Sequence, residues 1–168
     1  MYTMAKAVGA GLPLGVTIVN EKLGDIPAGS HSNTFGGNLA VIAGAYEQLK
    51  EVHATQKKLE HDIKAKGAMA LKRLKAMQES YEIVGDARGL GFMLAIELVK
   101  DKKSKEPAVD ERRDIVNMCF DSGLLLLEAG QSTIRIAPPV TISEASLNKG
   151  LDMLEEAVRN RNSTMLAK

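Results

Sequence analysis

Three side chains in this sequence have the chemistry and the neighbours to do more than hold a fold: Lys6, Thr34 and Arg135. Lys6 stands in "MAKAVGAG", among small apolar residues. A lysine that attacks a carbonyl must spend time unprotonated, which desolvation and nearby cations favour. No flanking carboxylate opposes that here, and Gly9 and Gly11 let backbone come close to a planar ligand. A solvated surface lysine is the plain alternative. Thr34, in "HSNTFGGN", places a hydroxyl and several amides just before a helix start, an arrangement that suits phosphate. The same residues also read as a capping turn, and His31 fits a structural hydrogen-bonder and a functional group equally. Arg135 lies between Ile134 and Ile136 and before Ala-Pro-Pro. Full solvation is not expected there, so its guanidinium needs an anion, either a protein acid or a ligand carboxylate. Arg88, in "DARGLG", reads as structural, paired with Asp86 or a carbonyl. Cys119, in "IVNMCF", reads as a buried thiol and not a nucleophile.

The elements that must position these groups follow from pattern. "LPLGVTIVN" (12–20) reads as a short buried strand entered through Pro13 and Gly15. Asn38 is a helix N-cap. Residues 39–52 form a helix that is apolar on nearly all faces in its first turns, hence buried. A second helix spans about 56–79, with Leu59, Ile63, Gly67, Ala70, Leu74 and Met77 as one apolar stripe. At about 24 residues it reaches roughly 36 Å. Two short strands are expected around a Gly-rich turn at Asp86–Gly91, followed by the charged loop "DKKSKEPAVDE". A helix over Asp110–Ser122, a strand in "LLLLEAG" and another in "STIRIAPPV" come next. The last helix, capped by Thr141 or Ser143, buries Leu147, Leu151, Leu154 and Val158. Residues 160–168 should fray. The order predicts the end of an α/β domain over 1–55, a connecting helix over 56–80, a small α+β domain over 81–160 and a frayed tail over 161–168.

Composition narrows the function classes. The 22 basic and 21 acidic residues leave a net charge of +1, which offers nothing to nucleic acid or an anionic membrane. One cysteine excludes an internal disulfide and a multi-cysteine metal site. No apolar run approaches the ~18 residues of a membrane span. The N-terminus lacks the features of a secretory signal, so a cytoplasmic, reducing setting is expected. A 4% aromatic content without tryptophan gives no stacking platform for bases.

Taken together, four segments carry a resemblance. "YTMAKAVGAGLPLG" resembles the lysine segment of the class III (subgroup II) pyridoxal-phosphate aminotransferases. "GSHSNTFGGN" is similar to their "H-x-x-T-F/Y-G-G-N-P", "VGDARGLGFMLAIEL" to their "V-R-G-x-G-L-x-x-G-I-E-L", and "TIRIAPPVTISE" to their "I-R-x-x-P-P-L-x-I-T". The four occur in the family's order and at its spacing. Leu39 departs from it, standing where the family has proline.

The resemblance implies an α/β fold, the C-terminal part of a fold-type I transferase: the end of the large domain plus the small α+β domain. It implies pyridoxal 5'-phosphate as cofactor and Lys6 as its Schiff-base lysine and proton carrier. It implies Thr34 on the cofactor phosphate, across a dimer interface, and Arg135 on the substrate carboxylate. The implied partners are an amino donor, a 2-oxo acid acceptor, and a second copy in a homodimer. The flavour is nearest to 4-aminobutyrate aminotransferases and related racemases. The family's phosphate loop, ring-stacking aromatic and pyridine-nitrogen Asp have no counterpart in this sequence. A C-terminal fragment is therefore expected, inactive alone or active with a complementing N-terminal half. An amino-acid racemase or epimerase and a non-catalytic remnant are the alternatives.

Overall fold

The computed structural model describes residues 1–24 and 26–166. They divide into two units, one over Met1–Gln56 and one from Lys57 onward.

In the first unit, β1 (Tyr2–Met4) pairs antiparallel with β2 (Val16–Ile18), Tyr2 opposite Ile18 and Met4 opposite Val16. The strand expected over 12–20 is thus only three residues long, and it is not buried: Ile18 is half exposed. A two-stranded ribbon has no second layer to cover it. The pairing partner β1 went unforeseen because five residues are too few to show an alternating pattern. A 3₁₀ turn, Lys6–Gly9, lies between the strands, and another, Glu21–Leu23, follows them.

The helix α1 (Leu39–Ser80) is continuous for 42 residues, where two helices were expected. The junction "HATQ" holds neither glycine nor proline, and the Thr55 hydroxyl donates back to the Glu51 carbonyl (2.8 Å), so nothing interrupts the ladder. Its start is capped as anticipated. Asn38 Oδ1 accepts from the amides of Ala40 (3.1 Å) and Val41 (3.2 Å). The expected burial of residues 39–52 is not found. Leu39 is 84% exposed and Tyr46 62%, while Ala45 is buried. The described residues of this unit cover only the face that carries Gly44 and Ala45.

The second unit holds β3 (Val84–Leu90), β4 (Met93–Leu98), α2 (Val109–Asp121), β5 (Leu127–Ala129), β6 (Thr133–Ile136) and α3 (Glu144–Leu166). The strands form one antiparallel sheet in the order β3-β4-β6-β5. Strand alternation sends Leu94, Ile96, Leu98, Ile134 and Ile136 to one face. There they meet Ala70, Leu74 and Met77 of α1, Ile115 and Cys119 of α2, and the Leu147–Leu151–Leu154–Val158 stripe of α3. The α3 stripe is therefore core, as is the α1 stripe from Gly67 to Met77 with Ile63 packed against it, while Leu59 stays outside the core. The other face of the sheet is open, with Leu90 88% and Leu127 60% exposed.

The segment Asp86–Gly91 is not the expected turn but largely strand. Leu90 pairs with Met93, so the reversal is confined to Gly91 and Phe92. A bulge between Val84 and Asp86 is clamped by Gln78, which donates to the Gly85 carbonyl (3.2 Å) and accepts from the Ala87 amide (3.0 Å). Ser143 is the cap of α3, its Oγ accepting from the Ser146 amide (3.0 Å). The helix continues to Leu166 instead of fraying from 160; residues 167 and 168 lie outside the described residues. Two interactions hold that last stretch. Arg161 pairs with Glu111 and Asp114 (3.1 Å each), and Asn162 Oδ1 accepts from the Ile83 amide (3.1 Å). No helix among the described residues is long and apolar enough to cross a membrane.

Candidate functional site

Lys6 opens its 3₁₀ turn with φ +58, in the left-handed region that few side chains adopt. The turn ends on Ala10, also left-handed at φ +54, and Gly11 at φ +90. The Ala10 amide donates to the Ala7 carbonyl (3.1 Å) and the Leu12 amide to the Gly9 carbonyl (2.9 Å). Lys6 is exposed at an open depression of about 450 Å³ that it lines with Ala7, Gly11, Leu12 and Pro13. A Cβ on Gly11 would meet no atom within 4 Å, so backbone faces free space there. Among the described residues no carboxylate forms an ion pair with Lys6. A reachable primary amine beside a small, apolar wall fits an aldehyde-bearing planar cofactor.

Thr34 is exposed in the turn that leads to α1. The amides around it are largely committed. Phe35 donates to Asn33 Oδ1 (3.0 Å), Gly36 to the Asn33 carbonyl (3.0 Å) and Asn38 to the Phe35 carbonyl (3.2 Å). Ala40 and Val41 are held by Asn38. Those five amides are spent within the turn and the helix cap, so they add nothing to the phosphate site expected at Thr34. His31 is exposed in the loop before it.

Arg135, in the second unit, is exposed, contrary to the burial expected from its apolar neighbours. Strand alternation explains the difference: Ile134 and Ile136 face the core, and Arg135 faces the open side of the sheet. No acid of the described residues pairs with it, so the internal salt bridge considered above is absent among them. Its cross-strand neighbours are Ala95 on β4 and Leu127 on β5. Arg88 is different. Its Nη1 lies 2.6 Å from Asp86 Oδ2 and 2.7 Å from Glu97 Oε2. Those two carboxylates, Asp86 foremost, tighten the guanidinium's hold on its proton. The structural reading of Arg88 stands, with Glu97 as a second partner that the sequence did not suggest.

Cys119 is fully buried, and burial pushes its thiol up to about 11, as a structural cysteine requires. Gln48 was missed. From α1 its side-chain amide donates to the Ala7 carbonyl, next to Lys6. The available signal was a lone amide following "LAVIAGAYE", one helical turn after Gly44.

Comparison with known proteins accords with this geometry. Residues 1–158 match the family described as Aminotransferase class-III. A leucine/methionine racemase of Thermococcus litoralis is 36% identical over 94% of this chain and 35% of its own length. An acetylornithine aminotransferase of Clostridium acetobutylicum is 33% identical over 93% of this chain and 38% of its own. Among solved structures, a Bacillus anthracis aminotransferase superposes with a TM-score of 0.84 at 32% identity, over 94% of this chain and 38% of that one. The chain thus spans little more than a third of the length of these relatives, in their C-terminal part.

Proposed function

The chain belongs to the class III aminotransferase family, and from that premise we propose that it supplies three groups of a pyridoxal 5'-phosphate transaminase site. Its proposed substrates are an amino-acid donor, with 4-aminobutyrate or another ω-amino compound as candidates, and a 2-oxo acid acceptor. The bound cofactor provides the electron sink for a carbanion at the amino-bearing carbon. Lys6 Nζ would hold the cofactor's aldehyde carbon and, once the substrate's amine has displaced it, would carry a proton from the substrate carbon to the cofactor. The Thr34 hydroxyl donates to a phosphate oxygen, in a homodimer serving the partner's site. Arg135 clasps a substrate carboxylate through two parallel N–H···O bonds.

The observation that carries this reading is Lys6 itself: an exposed amine, held at φ +58 and free of carboxylate partners among the described residues. The 168 residues contain no acid matching the family's pyridine-nitrogen Asp, so by themselves they are proposed to be a poor catalyst. Ordinary turnover of 4-aminobutyrate with 2-oxoglutarate by these residues alone would refute that part. For the cofactor, the test is the absorbance band that appears on adding pyridoxal 5'-phosphate. It should be present in the chain and lost in Lys6→Ala. Equal spectra remove Lys6 from the site.

A second reading, amino-acid racemisation, is favoured by the 36% identity to the leucine/methionine racemase. It uses the same lysine without net amino transfer. Chiral analysis of products from the complete enzyme, with and without a 2-oxo acid, separates the two: racemisation proceeds without the acceptor.

A further inference from the structure

We infer that Gln48 is a positioning residue for Lys6, acting through the Ala7 carbonyl; the inference rests on the reading of Lys6 given above. A non-glycine residue in the left-handed region is strained and persists only where its surroundings hold it. Lys6 and Ala10 both lie there, at the two ends of one short turn.

Two contacts from one face of α1 hold that turn. At one end, the Ala7 carbonyl accepts from the Ala10 amide and from the side-chain amide of Gln48, which reaches back 41 residues. At the other end, Leu12 packs over Gly44, where an added Cβ would lie 3.9 Å from Leu12 Cδ1. Gly44 and Gln48 are four residues apart and so share a helix face. Gly44 lets the loop approach, and Gln48 fixes the peptide plane that follows Ala7. A helical glutamine usually reaches solvent or a residue one turn away. This one is spent on the backbone beside the reactive lysine, which sets where the Lys6 side chain starts.

Two substitutions isolate the hydrogen bond. Gln48→Met keeps the length of the side chain and removes the donor. Gln48→Glu keeps the shape and donates only when protonated. The first readout, hydrogen exchange at the Ala10 amide, needs no cofactor. The second is the yield of pyridoxal 5'-phosphate fixed on Lys6 by borohydride, read by peptide mass.

Gln48→Met is expected to lower Ala10 protection roughly tenfold, the loss of one hydrogen bond, and to lower the Lys6 yield several-fold. Gln48→Glu should match it at pH 7. Below about pH 4 it should regain protection relative to the unsubstituted chain at the same pH, as its carboxyl becomes a donor. A purely space-filling role would give no such recovery. Unchanged Ala10 protection in both variants overturns the inference, as does lost protection with an unchanged Lys6 yield. Should the unsubstituted chain show no preference for Lys6, the proposed function itself fails. That failure is recognisable because Ala10 protection still follows the Gln48 substitutions.

Discussion

Arg88 and Arg135 stand in one cross-strand row of the sheet, each opposite Ala95, and among the described residues only Arg88 is answered by carboxylates. Asp86 and Glu97 neutralise the first arginine. The second is left as a cation on an open face, with alanine and leucine beside it.

That asymmetry sets the first prediction. Arg135→Ala should change stability by no more than about 0.5 kcal/mol, as for an exposed side chain without partners. In the complete enzyme it should weaken carboxylate binding by roughly 1.5–3 kcal/mol, the value of a hydrogen bond to a charged group. Thermal melting and titration with a substrate-like carboxylate measure the two separately. A large loss of stability would show that Arg135 has a structural partner instead.

Gly67 and Gly91 make opposite demands from those of Gly150. A Cβ on Gly67 would collide with the Gly91 carbonyl oxygen and lie 2.7 Å from its carbon. Gly67→Ala must therefore push the β3–β4 reversal off α1, at about 1–3 kcal/mol, typical of overpacking. Gly150, inside α3, has Leu124 Cδ1 at 3.4 Å as its nearest obstacle. Gly150→Ala should stabilise by roughly 0.5–1 kcal/mol through helix propensity. Denaturant midpoints of the two variants should move in opposite directions.

Asn162 is buried on α3, and its side-chain oxygen is the acceptor for the Ile83 amide just before β3. Asn162→Ala leaves that buried N–H without a partner, which costs about 1–3 kcal/mol. Asn162→Asp keeps an acceptor and should lose less at the hydrogen bond, though it buries charge. Unfolding free energies of both, with hydrogen exchange at Ile83, check this.

Cys119 should resist alkylation in the folded chain at pH 8 and react at once in denaturant. Burial raises its thiol to about 11 from an ordinary 9.0. The folded state thus retains the proton where the unfolded state loses it. The resulting stability is fully present below pH 9 and disappears as pH rises toward 11. Cys119→Ala should flatten that alkaline decline, which unfolding curves at pH 8 and pH 10.5 would reveal.

What could be read in advance follows a physical line. Stripes that end up in the core of the second unit, such as Leu74–Met77 and Leu147–Val158, show their period because their partners lie within these residues. Leu39, Ile42 and Tyr46 carry the same apolar signal, yet the described residues leave them exposed. Hydrophobicity records the need for cover but not what supplies it. The Gly-rich run before Gly91 resembled a turn because glycine marks both reversals and close approaches. Which one applies depends on α1 packing at Gly67. Lys6, Thr34 and Arg135 stood out by residue type and spacing. Arg135's exposure and the commitment of the amides around Thr34 depend on strand register and on the acceptors Asn33 and Asn38 provide. The Gln48–Ala7 bond joins residues 41 apart, a distance no local pattern conveys.

The most direct test concerns Lys6. The chain is incubated with limiting pyridoxal 5'-phosphate, reduced with borohydride, digested and mapped by mass. The expected result is a phosphopyridoxyl group concentrated on Lys6, with the total bound falling to background in Lys6→Ala. Label spread evenly over the exposed lysines, unchanged by that substitution, would contradict the assignment of Lys6 as the cofactor's lysine.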